Sequence, residues 1–263
     1  MGLPGLNTSQ MIEVDRIMIN DLSVPIELMM EQAGLNLARL ALELSDPSAS
    51  SFRVVAGTGN NGGGGLVAAR RLRNWGYRTE VILPRSKNML REIPAIQLKR
   101  AVNVGVTIIN GIPEQSSDRK CVVLDTYLGY GFKPRRDDIS ESVYSYLRSE
   151  SSVVSLDVPS GLDSTSGESY SQLKPVATMS IAFLKNGHLL SSEELTGELF
   201  VADIGVPLAV YQLKMDFTWK NPYSLSDLEL LYNAFTHDPL QRAIVSISSE
   251  KPVWNVCGSP IQK

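Results

Sequence analysis

The chain has 263 residues, a formal net charge of −3, and 43% hydrophobic and 20% charged residues, which suits one large soluble α/β domain with a small appendage. That charge leaves no nucleic-acid footprint, no run of about eighteen apolar residues offers a membrane span, and no charged segment with an apolar core reads as a secretory signal. The cytoplasm is the expected location. Two separated cysteines, Cys121 and Cys257, and two histidines, His188 and His237, argue against a disulfide framework and a zinc cluster.

Residues 8–21 and 25–45 read as two helices, the second with Ile26, Met29, Met30, Ala33, Leu37, Leu40, Ala41 and Leu44 on one face. Met29 and Met30 read as core filler. A first strand at 52–56 leads into Gly57-Thr58-Gly59-Asn60-Asn61-Gly62-Gly63-Gly64-Gly65, read as a loop, and a helix at 65–75 that Gly76 closes. A strand at 79–83, a helix near 88–103, a strand at 106–109 and a polar loop at 110–119 follow. The strand from Cys121 ends in Asp125, a helix covers 137–149, and the strand from Val153 ends in Asp157. Further strands are expected at 177–183 and 198–202. Apolar strands spaced by helices predict an α/β fold: a doubly wound, mainly parallel Rossmann-like sheet with helices on both faces. Residues 1–214 are read as that domain and 215–263 as a C-terminal appendage. The appendage is expected to hold a helix from Ser226-Asp227-Leu228-Glu229 to about Phe235 and short strands at 243–249 and 252–256.

In such sheets ligands gather at the C-terminal ends of the strands. The glycine segment, Asp125 and Asp157 all follow or end strands, so one edge would collect two carboxylates and an amide-rich turn. Glycine admits close approach to backbone amides, and a helix N-terminus favours phosphate. Gly57, Gly59 and Gly62 also fit GxGxxG, but the next strand runs Glu80-Val81-Ile82-Leu83-Pro84-Arg85 and supplies no ribose-binding acid at its end. At best Arg85 would favour a 2′-phosphate. An asparagine carbonyl, strand-end carboxylates and a serine-bearing turn are oxygen donors suited to a hard cation.

These segments together resemble the YjeF N-terminal domain family, the NAD(P)HX epimerases. The resemblance is carried by the glycine segment, Leu124-Asp125, Gly129-Tyr130-Gly131-Phe132-Lys133, and Leu156-Asp157-Val158-Pro159-Ser160-Gly161-Leu162-Asp163. Ala182-Phe183-Leu184-Lys185-Asn186-Gly187-His188 and the segment from Gly197 to Pro207 fit as well, so about residues 7–207 are covered. The resemblance implies epimerisation at C6 of the hydrated nucleotides NADHX and NADPHX, with a potassium ion near the site. It implies that Asn60, Asn61, Gly62, Gly63, Gly64, Gly129, Tyr130, Gly131, Phe132, Lys133, Pro134, Arg135 and Asp157 hold the nucleotide. Asn61, Asp125 and Ser160 would hold the potassium, Asp157 and Lys185 would act in catalysis, and a homodimer would be the assembly.

One position departs from the pattern: Gly64 stands where the family loop carries aspartate. A positioned carboxylate contributes about 10²–10⁴-fold to proton transfer, so its loss weakens catalysis or moves the role to Asp157. The phosphate-binding amides need no side chain there. The alternative reading is therefore a non-catalytic nucleotide-binding or interaction protein of the same fold.

Overall fold

The apolar run around Val54 and Val55 forms an interior strand, third from one edge of a nine-stranded sheet. The structure, a computed structural model, describes residues 5–46, 51–113, 120–133, 137–211, 244–247 and 255–256. In chain order the elements are α1 (Thr8–Arg16), α2 (Ile26–Glu43), β1 (Ser51–Ala56), α3 (Asn60–Asn74), β2 (Arg78–Leu83), α4 (Glu92–Asn103), β3 (Thr107–Asn110) and β4 (Cys121–Thr126). They continue with α5 (Asp138–Ser149), β5 (Val153–Leu156), β6 (Ala177–Ile181), α6 (Asn186–Leu190), α7 (Glu193–Thr196), β7 (Glu198–Ala202), β8 (Ile244–Ile247) and β9 (Asn255–Val256). The strand order is β3-β2-β1-β4-β5-β6-β7-β8-β9, parallel through β7 and antiparallel for the last two. The doubly wound, mainly parallel α/β sheet read from the alternation is thus the observed architecture.

Successive residues of one strand feed opposite faces, as the pleat requires. Val54 packs with Leu37, Leu40, Leu66 and Leu72 of α2 and α3, whereas Val55 packs with Val143, Tyr146 and Leu147 of α5. A third cluster joins Met11 and Val14 of α1 to Phe183, Leu184, Val201 and Ile204. Asn7 opens α1 with a reciprocal cap: its side chain accepts from the Gln10 amide at 2.9 Å, and its own amide donates to Gln10 Oε1 at 2.8 Å. A π-helical turn, Ile17–Asp21, ends this first helical segment.

The glycine segment corrects the sequence reading. Helix α3 begins at Asn60, so four of the glycines lie inside its first turns rather than in a loop. Glycine costs about 1 kcal/mol per helical residue relative to alanine, and tertiary packing overrides that preference here. A Cβ on Gly62 would sit 2.0 Å from the Gly57 carbonyl oxygen, and one on Gly65 would sit 2.0 Å from Thr126 Oγ1. A Cβ on Gly63 would meet Met30 Sδ at 2.6 Å, and one on Gly34 of α2 would meet the Gly64 carbonyl oxygen at 2.5 Å. The missing side chains let α3 press onto the strand ends and onto α2 at once.

Smaller differences have local causes. β6 stops at Ile181 because Ala182 takes φ +63°. The helix expected from 88 is a 3₁₀ turn at Lys87–Met89 followed by α4. The short helices α6 and α7 had no periodic signal long enough to read. Of the appendage, β8 and β9 fall within the strands expected there, while the helix near 226–235 and the boundary near 215 lie outside the described residues, as do His237 and Cys257. Among the described residues no helix is long and apolar enough to cross a membrane.

Candidate active site

Because β1, β4 and β5 are neighbours, the segments after them converge at the point where the strand order reverses. There the surface opens into a cleft of about 700 Å³. Asn60, Asn61 and Gly64 line it, together with Gly129, Tyr130, Gly131, Phe132, Lys133 and Asp157. Gly62 and Gly63 instead lie beneath, buried against the Gly57 carbonyl and Met30. Pro134 and Arg135 lie outside the described residues. Met29 and Met30 are both buried core and cleft wall. Arg85 lines the cleft and is held by Asp137, whose carboxylate accepts from its guanidinium at 2.6 Å. Helix α3 points its first turn at this space from Gly59, which is extended and supplies no side-chain cap. The free amides of that turn therefore face the cleft.

Asp157 follows β5 in a left-handed conformation, φ +71°, rare for a residue with a side chain. Surrounding contacts fix it there, a pattern found at functional sites. Its Oδ2 accepts from the Tyr130 amide at 2.7 Å, and its Oδ1 lies 2.5 Å from Lys185 Nζ. Lys185 is fully buried and donates also to Ser180 Oγ at 3.1 Å and to the Ile181 and Phe183 carbonyls at 2.7 and 3.0 Å. A buried ammonium survives only when paired and hydrogen-bonded in this way. His188 accepts from the Lys185 amide at 3.2 Å. Burial, reinforced by the nearby Lys185 charge, pushes its imidazole down to about 3, so it is neutral and serves as an acceptor that shapes the loop.

Asp125 is fully buried beneath the cleft and accepts four hydrogen bonds. Ser160 donates both its amide, at 2.8 Å, and its hydroxyl, at 2.5 Å, while Ser155 Oγ donates at 3.0 Å and the Tyr127 amide at 3.3 Å. Burial raises this carboxyl above its usual range, against those donors. Ser160 Oγ in turn accepts from the Leu128 amide at 2.9 Å. Asn61 bridges the layers: its Nδ2 donates to the Leu128 and Leu156 carbonyls at 2.7 and 3.2 Å, and its Oδ1 is buried with no donor among the described residues. Gly129 admits this approach, since a Cβ there would lie 3.0 Å from Asp157 Oδ2 and 3.1 Å from Asn61 Cγ.

Two charged liners had no sequence signal. Arg91, preceding α4, reads in the sequence as an ordinary helix-start residue. Asp15 sits on α1, far from the glycine segment in sequence, and accepts from the Tyr130 hydroxyl at 2.5 Å. Its helical position marks only a polar site.

This arrangement is a cleft at the switch point of a doubly wound α/β sheet, with a buried acid–lysine pair at its floor. A profile of the family described as YjeF-related protein N-terminus matches residues 26–187. An NAD(P)H-hydrate epimerase of Dehalogenimonas lykanthroporepellens is 36% identical over 205 residues, covering 76% of this chain and 82% of that protein. An NAD(P)H-hydrate epimerase of Weissella koreensis is 32% identical over 201 residues, covering 75% and 89%. The crystal structure of yeast ynu0, YNL200c, superposes with a TM-score of 0.65 at 23% identity, covering 76% of this chain and 88% of that one, which shows the shared fold. The chain belongs to the family of YjeF-related N-terminal domains.

Proposed function

We propose that this protein is an NAD(P)H-hydrate epimerase, interconverting the R and S forms at C6 of hydrated NADH and NADPH. The observation that carries the reading is the Asp157–Lys185 pair, buried and pinned at the floor of a nucleotide-sized cleft beside the α3 N-terminus. The α3 amides receive phosphate, as helix N-termini do. The left-handed backbone aims the Asp157 carboxylate at the cleft as the proton-transfer group, with Lys185 Nζ beside it. Purified protein mixed with one NADHX epimer should bring the mixture to equilibrium well ahead of the spontaneous rate, followed by chromatography. No gain over the spontaneous rate at high protein overturns the reading.

Potassium belongs to the same proposal. The buried, unpartnered Asn61 Oδ1 fits a hard cation, and Asp125 and Ser160 supply the other oxygens, the Ser160 hydroxyl turning away from Asp125 to do so. A bound potassium would supply positive charge near the nucleotide without taking part in proton transfer. Potassium is expected to raise nucleotide affinity and lithium not to, with the effect lost in Asn61→Ala; calorimetry measures both. A homodimer is the proposed assembly, since Ile12, Ile19, Leu22 and Leu28 leave an exposed apolar face along the N-terminal helical segments. The cytoplasm is the proposed location.

The second reading, a binder without catalysis, rests on Gly64, which leaves the cleft wall without a carboxylate at that point. A Cβ there meets only Leu156 Cδ2, at 2.9 Å, the movable end of a flexible side chain. Gly64→Asp should therefore fold normally and raise the epimerisation rate by about tenfold or more. A fully active wild type with no gain in the variant would show that this carboxylate is dispensable.

A further inference from the structure

Epimerisation at C6 removes a hydroxyl from one face of the ring and restores it to the other. A single fixed carboxylate serves one face. Asp157 is 3% exposed, conformationally pinned and held on both oxygens, so it does not swing between faces. With glycine at position 64, two carboxylates line the cleft among the described residues, Asp157 and Asp15. Tyr130 links them: its amide donates to Asp157 Oδ2 at 2.7 Å and its hydroxyl donates to Asp15 Oδ2 at 2.5 Å. The two acids thus sit at opposite ends of one tyrosine, which also lines the cleft.

Resting on the epimerase reading, we propose that Asp15 is the second catalytic acid–base of this cleft, working with Asp157 on the C6 hydroxyl. The Asp15 carboxyl gives its proton to that hydroxyl. The C6–O bond breaks, water leaves, and the N1 lone pair forms the N1=C6 bond. Water then adds to the other face of C6, the π pair returns to N1, and the water's surplus proton passes to the Asp157 carboxylate. Return of that proton to Asp15 through solvent resets the pair, so no oxidant or co-reactant is consumed. In the reverse direction the roles exchange.

The surroundings suit the assignment. Burial raises the Asp15 carboxyl, the Tyr130 hydrogen bond and the Lys185 charge oppose that rise, and the Asp157 charge adds to it; the net direction is up. A proton is therefore held more readily at Asp15 than on an ordinary aspartate. The neighbouring Arg16 on the same helix is engaged by Glu13 and Asp21.

The test is Asp15→Asn and Tyr130→Phe in the full chain, with single-epimer NADHX as substrate, rates measured across pH, and folding checked by circular dichroism. Asp15→Asn should lower kcat by about 10²-fold or more, with KM within about threefold. The wild-type rate should fall as pH rises through the Asp15 titration, and Asp15→Asn should lack that alkaline limb. Tyr130→Phe removes a hydrogen bond that favours ionised Asp15, so its alkaline limb should move to higher pH. If Asp15→Asn fails to fold, the Tyr130→Phe shift decides. An Asp15→Asn rate within about twofold of wild type overturns the proposal, and so does an alkaline limb unchanged in both variants. A wild type that gives no acceleration removes the epimerase reading and this proposal together; an active wild type with an equally active Asp15→Asn removes this proposal alone.

Discussion

Asp157→Asn is expected to lower the epimerisation rate by about 10²–10⁴-fold while nucleotide binding persists. The substitution keeps the shape of the side chain and an oxygen for the Tyr130 amide. It removes the negative charge beside Lys185 Nζ, and with it the group proposed for proton transfer. Lys185 keeps its three neutral acceptors, Ser180 Oγ and the Ile181 and Phe183 carbonyls, which offset part of the cost of its unpaired charge, so the variant is expected to fold with reduced stability. Steady-state kinetics should therefore show the loss in kcat, with KM little changed. A loss confined to KM would make Asp157 a binding group and return the proton transfer to another residue.

Lys185→Met is expected to be the most destabilising single change at the site, by about 3–5 kcal/mol, because it strands the Asp157 carboxylate in the interior. Among the described residues that carboxylate then keeps only the Tyr130 amide as a donor, in a place where it is 3% exposed. Urea unfolding of wild type and variant measures this loss. The double variant Asp157→Asn/Lys185→Met should recover much of the stability and none of the activity, since a pair replaced together by uncharged groups leaves no orphaned charge. A double variant as unstable as Lys185→Met alone would show that the lysine acts through its own packing instead.

The parallel sheet and its active edge were legible because their causes are local. Apolar runs such as Val122-Val123-Leu124 and Val153-Val154, short, rich in β-branched residues and flanked by helical segments, read as interior strands. Asp125 and Asp157 end such runs, so they face the same edge once β4 and β5 lie side by side. The glycine segment was legible as a site and illegible as structure. Its residues have poor helix propensity, and most of the neighbours that crowd a Cβ at Gly63 through Gly65, Met30, Leu156 and Thr126, are distant in sequence, where no local rule reveals them. Asp15 was invisible for a related reason. On an amphipathic helix it is one polar residue among several, and only the turn that brings Tyr130 against α1 makes it part of the cleft. Lys185 followed from family resemblance, and its burial and its ion pair with Asp157 became evident only in three dimensions.

The proposed role of the Asp157–Lys185 pair is addressed directly by one comparison. Wild type and Asp157→Asn, at equal concentration in potassium buffer, are each mixed with a single NADHX epimer, and the approach to equilibrium is followed by chromatography. The predicted result is rapid equilibration by wild type and a rate at least about 10²-fold lower for the variant. Equal rates for the two proteins would contradict the account.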